Sequence, residues 1–178
     1  MSPSRYHPSL RVLHWLIAAL IIAALFMGTF VMARIQNSDP SKLFALLKHM
    51  TVGVLVLALT LMRLFIRPKT RRPTPIFSGI TLADRVVPYV HRIFDVLVLV
   101  MIGSGIGIAV LSGLPGAILD GNVSQLPASF SNLPLHTLHV FAARVLAGIV
   151  ALHVCGAFYH HFFLKDGLLS RMSLVARQ

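Results

Sequence analysis

The chain has 178 residues, of which 56% are hydrophobic and 12% charged, and 16 lysines and arginines against five acidic residues give it a net charge of +11. Soluble domains have roughly 45–50% apolar and about 25% charged residues, so this composition excludes a disordered chain and an ordinary soluble domain. The single cysteine, Cys155, excludes an intrachain disulfide and any iron–sulfur or zinc site built on several cysteines. The apolar excess points to a membrane protein.

Four stretches are long and apolar enough to cross a lipid bilayer, which takes about 20 residues of helix. The sequence predicts transmembrane helices at residues 12–33, 43–66, 86–111 and 136–164. The apolar runs are continuous and do not alternate, which excludes a transmembrane β-barrel. The first stretch is too long for the apolar part of a signal peptide. We therefore predict an all-α, integral membrane four-helix bundle, with residues 1–178 forming one transmembrane domain.

The lysines and arginines in the connections, the tails and the adjoining helix ends are distributed unevenly. Twelve lie in or at the edges of the N-terminal tail, the second connection and the C-terminal tail, whereas the first connection and its edge carry three, Arg34, Lys42 and Lys48. The third connection, Ser112–Leu135, carries none. Because basic residues concentrate on the cytoplasmic side, both termini are predicted to be cytoplasmic. The positive charge thus follows from membrane topology, and nucleic-acid binding is not needed to explain it.

The positions of four histidines indicate two pairs. His139 and His153 are 14 residues apart on the fourth predicted helix, so they point within about 40° of each other and differ by roughly 21 Å in depth. His14 lies near the cytoplasmic start of the first helix and His49 near the outer start of the second. Depth therefore pairs His14 with His153 and His49 with His139. His91, on the third helix, has a depth similar to that of His14, so depth alone does not exclude it as a ligand.

Two histidine pairs that face each other inside a bundle suit two haem b groups, each with an imidazole on both axial sides. A di-iron site would need acidic pairs, and the chain has no glutamate. Zinc ordinarily takes three or four ligands at one point, whereas these histidines form two layers. Gly53, one turn beyond His49, is expected either to let a porphyrin approach the backbone or to serve helix packing. Two stacked haems would give an electron path between the two faces of the membrane.

Several motifs surround the histidines along the chain. They are Arg11–Val12–Leu13–His14–Trp15, Lys48–His49 with Gly53, His91, and His139 to His153 followed by His160–His161–x–Phe163–x–Lys165–Asp166. Together these motifs resemble the prokaryotic cytochrome b561 family over roughly residues 5–172. The resemblance implies a four-helix cytochrome of the bacterial inner membrane with two haems b. It also implies that the iron ligands are His14, His49, His139 and His153.

The same resemblance implies electron transfer between the periplasmic side and the quinone pool. The family members that the chain resembles imply a reaction in which superoxide is oxidised to oxygen at the outer haem and ubiquinone is reduced at the inner one. His160, on the His153 face, is implied as a quinone-binding residue that relays protons, and His91 as a neighbour of the inner haem or the quinone. One alternative is an electron-transferring membrane anchor for a dehydrogenase or hydrogenase partner protein. A second is a small histidine-gated transporter, which would have no haem spectrum.

Two cations near the outer histidine pair are candidate catalytic residues. Arg144 lies about one and a half turns below His139, where we expect it to be buried and paired with a haem propionate, because an unpaired charge at that depth is costly. Lys48 directly precedes His49 and would attract an anionic donor such as superoxide. Alternatively, Lys48 extends to the lipid headgroups. The run Gly103–Ser104–Gly105–x–Gly107 is expected to serve close helix packing.

Overall fold

The computed structural model describes residues 4–71, 73–74 and 81–175, without the side chains of residues 81–83, 87, 88 and 91. The described residues form four long helices and one short helix. In chain order these are α1 (Pro8–Phe26), α2 (Ser41–Ile66), α3 (Thr81–Leu111), α4 (Leu114–Leu119) and α5 (Pro134–Tyr159). Wider π-helical turns extend α1 over Met27–Val31 and α5 over His160–Leu164. Such turns occur often at functional sites.

Four helical segments are long and apolar enough to cross a membrane. They are Pro8–Arg34, Ser41–Lys69, Arg92–Leu111 and Pro134–Leu164. Large hydrophobic side chains are exposed along all of them, as expected for surfaces that face lipid rather than water. The predicted all-α membrane bundle is therefore confirmed, and in the described part of the chain no strand occurs. The predicted spans agree with the observed helices, although each helix begins before its predicted start, α1 by four residues, α3 by five and α2 and α5 by two.

The four long helices pack most closely as two pairs, α1 with α2 and α3 with α5, and α2 makes a smaller contact with α3. Among the described residues, no large side chain is fully buried. Protein interiors normally enclose many large side chains, so the described part of the bundle has few enclosed large side chains for its size.

The connection between α3 and α5 folds back onto the outer end of the bundle. Its α4 and the turns that follow contribute Leu114, Ala117 and Leu126 to a buried cluster with Leu46 of α2 and Ala109 of α3. Gly113 allows the sharp turn before α4 because its φ is +67°, a conformation that other residues rarely adopt. The predicted loop is thus a packed cap over one end of the helices.

A lysine closes the end of the first membrane helix. The buried Lys42 ammonium donates hydrogen bonds to the carbonyl oxygens of Met32 and Ile35, both at 2.8 Å. These carbonyls lie at the end of the helical segment, where the last carbonyl groups lack the usual intrahelical partners; that of Met32 also accepts from the backbone N–H of Ile35. Lys42 therefore joins the start of α2 to the end of the first span.

At the opposite end, the C-terminal tail is tied to the start of the chain. The Arg5 guanidinium donates to the carbonyl of Val175 at 2.9 Å, and the Trp15 indole donates to that of Met172 at 2.9 Å. Nearby, Asp95 of α3 accepts from Arg63 at 2.7 Å. These contacts hold α1, α2, α3 and the tail together at one end of the bundle.

Candidate functional site

The four histidines predicted as ligands lie in two pairs, each between different helices. The ring centroids of His49 on α2 and His139 on α5 are 6.2 Å apart, and those of His14 on α1 and His153 on α5 are 6.4 Å apart. Both pairs span the region between the α1–α2 pair and the α3–α5 pair. The pairings inferred from depth are thus those that the structure brings together.

These separations suit a metal between the rings. Two imidazoles that bind one iron from opposite sides have ring centroids roughly 6.2 Å apart, because each nitrogen lies about 2 Å from the metal and about 1.1 Å from its ring centroid. Among the described residues, no cluster of three or more histidine, cysteine or acidic side chains could hold a free metal ion. Two ligands on opposite sides are what a haem iron needs, because the porphyrin supplies the other four.

The outer pair has a defined environment around His139. Its Nδ1 lies 3.0 Å from the Met101 carbonyl oxygen and 3.0 Å from the Ser104 hydroxyl. Because a carbonyl only accepts hydrogen bonds, the proton of the neutral ring is on Nδ1, and Nε2 keeps the lone pair that binds a metal. The Ser104 hydroxyl itself donates to the carbonyls of Val100 and Met101, at 2.8 and 2.9 Å. The α3 backbone therefore fixes the tautomer of His139.

Two glycines leave room beside this pair. A methyl group placed on Gly105 of α3 would lie 3.3 Å from Cε1 of His139, and one placed on Gly28 would lie 3.8 Å from Cε1 of His49. Gly28 belongs to the π-helical turn that extends α1. The Nδ1 atom of His49 is buried and has no hydrogen-bond partner among the described residues. A buried nitrogen without a partner is costly and is a common feature of functional sites.

Aromatic rings surround the inner pair. The Trp15 ring centroid lies 5.3 Å from that of His14, and the Phe94 ring centroid lies 5.4 Å from that of His153. The hydrogen bond from Trp15 to Met172 fixes one of these rings to the C-terminal tail. The tail thus takes part in positioning the inner histidine pair.

His160 forms a hydrogen-bonded pair with an acid at the end of α5. Its Nδ1 lies 2.5 Å from Oδ2 of Asp166, and the backbone N–H of Leu168 donates to Oδ1 at 3.0 Å. Lys165, between them, has a φ of +51°, which turns the chain back so that Asp166 reaches the imidazole. Desolvation opposes the charge of Asp166, but the hydrogen bonds from His160 and Leu168 outweigh it and hold its pKa below the usual value.

The tail also bounds a cavity of about 730 Å³ beside this turn. The side chains around it include Trp15, His161 and Lys165. Trp15 connects this cavity to the inner histidine pair through its contact with His14. A flat, partly apolar molecule that enters here would lie close to both the inner pair and the His160–Asp166 turn.

The structure corrects the expectation for Arg144. Its side chain is exposed at the surface of the bundle and has no ion-pair or hydrogen-bond partner among the described residues. Arg144 follows His139 by five positions, which places it about 140° around the helix from that ring. The predicted burial is therefore wrong, since depth was considered and rotation about the helix axis was not.

The remaining predicted site residues lie as follows. Lys48 is exposed, with its ammonium 4.0 Å from the ring centroid of Phe44. His136 is partly buried, one turn before His139 on α5. His91 belongs to α3, but its side chain lies outside the described residues. Gly53 has no atom within 4 Å of an added methyl group, so it leaves open space beside α2.

Sequence reasoning missed the contact between α3 and His139. It assigned the run Gly103–Ser104–Gly105–x–Gly107 to close helix packing, and within that run Gly107 does approach Leu135 of α5 closely, whereas Gly105 and Ser104 contact His139. A serine inside a run of glycines at the depth of a predicted ligand was the available signal. A polar side chain at that depth needs partners, and the Ser104 hydroxyl contacts the histidine ring as well as two carbonyls of its own helix.

The fold and the paired histidines define a class of protein, a helical membrane cytochrome. Comparison with known proteins specifies the family, because the family model described as prokaryotic cytochrome b561 matches residues 5–173. The chain belongs to the prokaryotic cytochrome b561 family. Members of this family bind haem b, and the chain is accordingly a bacterial membrane electron-transfer protein of the oxidoreductase type.

Two relatives are similar over almost their full length. Cytochrome b561 homolog 1 of Escherichia coli (strain K12) is 23% identical over 171 residues, which cover 95% of this chain and 97% of the relative. Probable superoxide oxidase CybB of Yersinia pestis is 25% identical over 173 residues, which cover 90% of each chain. No solved structure matches the chain significantly.

Proposed function

We propose that the chain is a cytochrome with two haems b, built as one transmembrane domain over residues 1–178, that carries electrons from superoxide to ubiquinone. The observation that carries this proposal is the separation of the two histidine pairs, 6.2 and 6.4 Å between ring centroids. One pair alone would hold one haem, whereas an electron path across the bilayer needs carriers at two depths. When bound, the haems supply two one-electron carriers.

The residues of the chain have distinct tasks in this proposal. His49 and His139 hold the outer group, and His14 and His153 hold the inner one. The α3 backbone keeps the proton of His139 on Nδ1, so that its Nε2 is always available to the metal. The glycines beside the outer pair allow a close approach of a planar group, because they present no side chain to it.

Quinone reduction is proposed at the His160 end of α5. A quinone takes up two electrons and two protons, so its carbonyl oxygens need a nearby proton donor. With Nδ1 held by Asp166, His160 can present Nε2 to a quinone oxygen and deliver a proton there. The partly buried His160–Asp166 pair lies beside the tail that bounds the 730 Å³ cavity.

The proposed orientation rests on the distribution of basic residues, which predicts that both termini lie in the cytoplasm of a bacterial inner membrane. His49 and His139 then lie near the periplasm and His160 near the cytoplasm. Superoxide is an anion, and the exposed Lys48 beside His49 provides positive charge where it would arrive. The relative named as a probable superoxide oxidase supports this choice of donor.

The number of haems tests the proposal directly. Purified wild-type protein should contain two haems b per chain, measured by haem extraction and protein quantification. His139→Ala should contain one haem, held by His14 and His153, and the control His136→Ala should keep both. One haem per wild-type chain, or two in His139→Ala, would contradict it. Transfer of electrons from superoxide to a soluble ubiquinone analogue by the holoprotein then tests the assignment of donor and acceptor.

A further inference from the structure

A second cavity lies at the end of the bundle that carries the termini, apart from the histidine pairs. It has a volume of about 470 Å³ and is lined by two short segments, residues 5–8 at the start of α1 and residues 69–71 after α2. We call it the basic cleft. Three of its seven lining residues, Arg5, Lys69 and Arg71, are permanently charged, and His7 adds a titratable ring. Among the described residues, no acidic side chain lines it.

The basic cleft is built from groups that the fold holds in place. The Arg5 guanidinium donates to Val175, and the backbone N–H of Tyr6 donates to the Arg171 carbonyl at 3.3 Å. On the other wall, the Lys69 ammonium lies 3.4 Å from the ring centroid of Phe65, and the Thr70 hydroxyl bonds the Arg67 carbonyl. The C-terminal tail therefore positions Arg5 and the end of α2 positions Lys69, and Arg71 lines the same cleft.

The position of the cleft identifies the chemistry of its ligand. Pro8 begins the first membrane segment and Lys69 ends the second, so the cleft lies at the level of the lipid headgroups. A concave surface with one sign of charge concentrates anions. Basic pockets between transmembrane helices bind the phosphates of anionic lipids. We propose that the basic cleft binds the phosphate group of an anionic phospholipid such as phosphatidylglycerol or cardiolipin.

Membrane topology alone would explain basic residues at this end, but it does not require them to converge. Arg85 and Arg92 of α3 are exposed at the same end and line neither of the two cavities. They carry the same charge at the same level of the membrane. They are therefore the matched comparison for Lys69 and Arg71.

The test is lipid binding to the purified holoprotein in a neutral detergent, followed by native mass spectrometry and by thermal unfolding. The probes are phosphatidylglycerol, cardiolipin, phosphatidylcholine and inorganic phosphate. We expect saturable binding of the two anionic lipids to the wild type, weakened about tenfold or more in Lys69→Gln/Arg71→Gln and about twofold or less in Arg85→Gln/Arg92→Gln. Unchanged haem absorbance verifies that each variant is folded.

Three outcomes would overturn the proposal. Equal weakening in the two double variants would mean that the charge acts diffusely, without a site. Equal affinity for phosphatidylcholine and phosphatidylglycerol would mean that the headgroup charge is not recognised. Inorganic phosphate that binds as tightly as the lipids, with the same loss in Lys69→Gln/Arg71→Gln, would assign the cleft to a soluble anion.

Discussion

Replacing Ser104 with alanine is expected to raise the midpoint potential of the outer haem and leave that of the inner haem unchanged. The Nδ1–H of His139 is shared between Ser104 and Met101, both at 3.0 Å. Donation from Nδ1 makes the imidazole a more basic ligand, and a more basic ligand favours ferric over ferrous iron. Loss of one acceptor therefore makes the ring less basic, and the haem becomes easier to reduce.

The size of the shift follows from the shared hydrogen bond. A neutral hydrogen bond contributes about 1 kcal/mol net, and Ser104 is one of the two acceptors of the Nδ1–H group. Replacing Ser104 therefore removes about 0.5 kcal/mol of hydrogen-bond free energy. For a one-electron couple, about 59 mV corresponds to about 1.4 kcal/mol, which converts the loss to about 20 mV. This figure is an upper value, because only the difference between the two oxidation states of the iron counts.

Spectroelectrochemical titration of the holoprotein measures both midpoint potentials in one experiment. Ser104→Thr keeps the hydroxyl and should restore the wild-type value. Ser112→Ala is the control, because the hydroxyl of Ser112, which directly follows α3, donates to the Ala109 carbonyl and not to a histidine. A shift of both potentials, a fall in the outer one, or no rescue by threonine would refute the assigned hydrogen bond.

Three further outcomes test the rest of the site. His160→Ala should keep both haems but slow their oxidation by a ubiquinone analogue about tenfold or more, since it removes the proton donor; His136→Ala, at the other end of α5, is the control, and equal slowing in both would place the donor elsewhere. Lys48→Gln should lower the rate of haem reduction by superoxide and flatten its dependence on salt, whereas a wild-type rate indifferent to salt would exclude steering. The lowered pKa of Asp166 means that its ion pair stabilises the fold above the usual carboxyl pKa of 3.8 and is lost as the pH falls through the lower folded value. The difference in thermal stability between wild type and Asp166→Asn should accordingly shrink as the pH falls from about 6 to about 3. A difference that grows over this range would contradict the lowered pKa of Asp166.

The membrane helices were predictable because the bilayer imposes a length and an apolar composition on each of them. The depth of a residue follows from the same constraint, since each position adds about 1.5 Å along the helix. This is why His14, His49, His139 and His153 could be paired from sequence. Depth carries no information about rotation, however, and the error at Arg144 has that origin. Arg144 lies about 140° around α5 from His139, and predicting this position requires the rotation of about 100° per residue as well as the depth.

Contacts that depend on how two helices meet were not predictable in the same way. The bond between Ser104 and His139 joins residues 35 positions apart, and it exists because α3 packs closely on α5. No periodicity in either helix specifies that crossing. The packing of α4 against the ends of α2 and α3 was not predictable either. The bilayer does not constrain the length or composition of this connection, so the sequence does not specify its path.

The role of Lys42 changes the electrostatic argument for the outer face. Sequence alone gives three cations near the first connection, Arg34, Lys42 and Lys48, against Asp39. The structure shows Lys42 buried, with its ammonium bonded to two carbonyl oxygens, while Arg34, Lys48 and Asp39 are exposed. A charge that neutralises helix-end carbonyls contributes little to the field outside the protein. Any attraction of an anion to this face therefore depends on Lys48 and Arg34, and Lys48 is the one of the two that adjoins His49 in the chain.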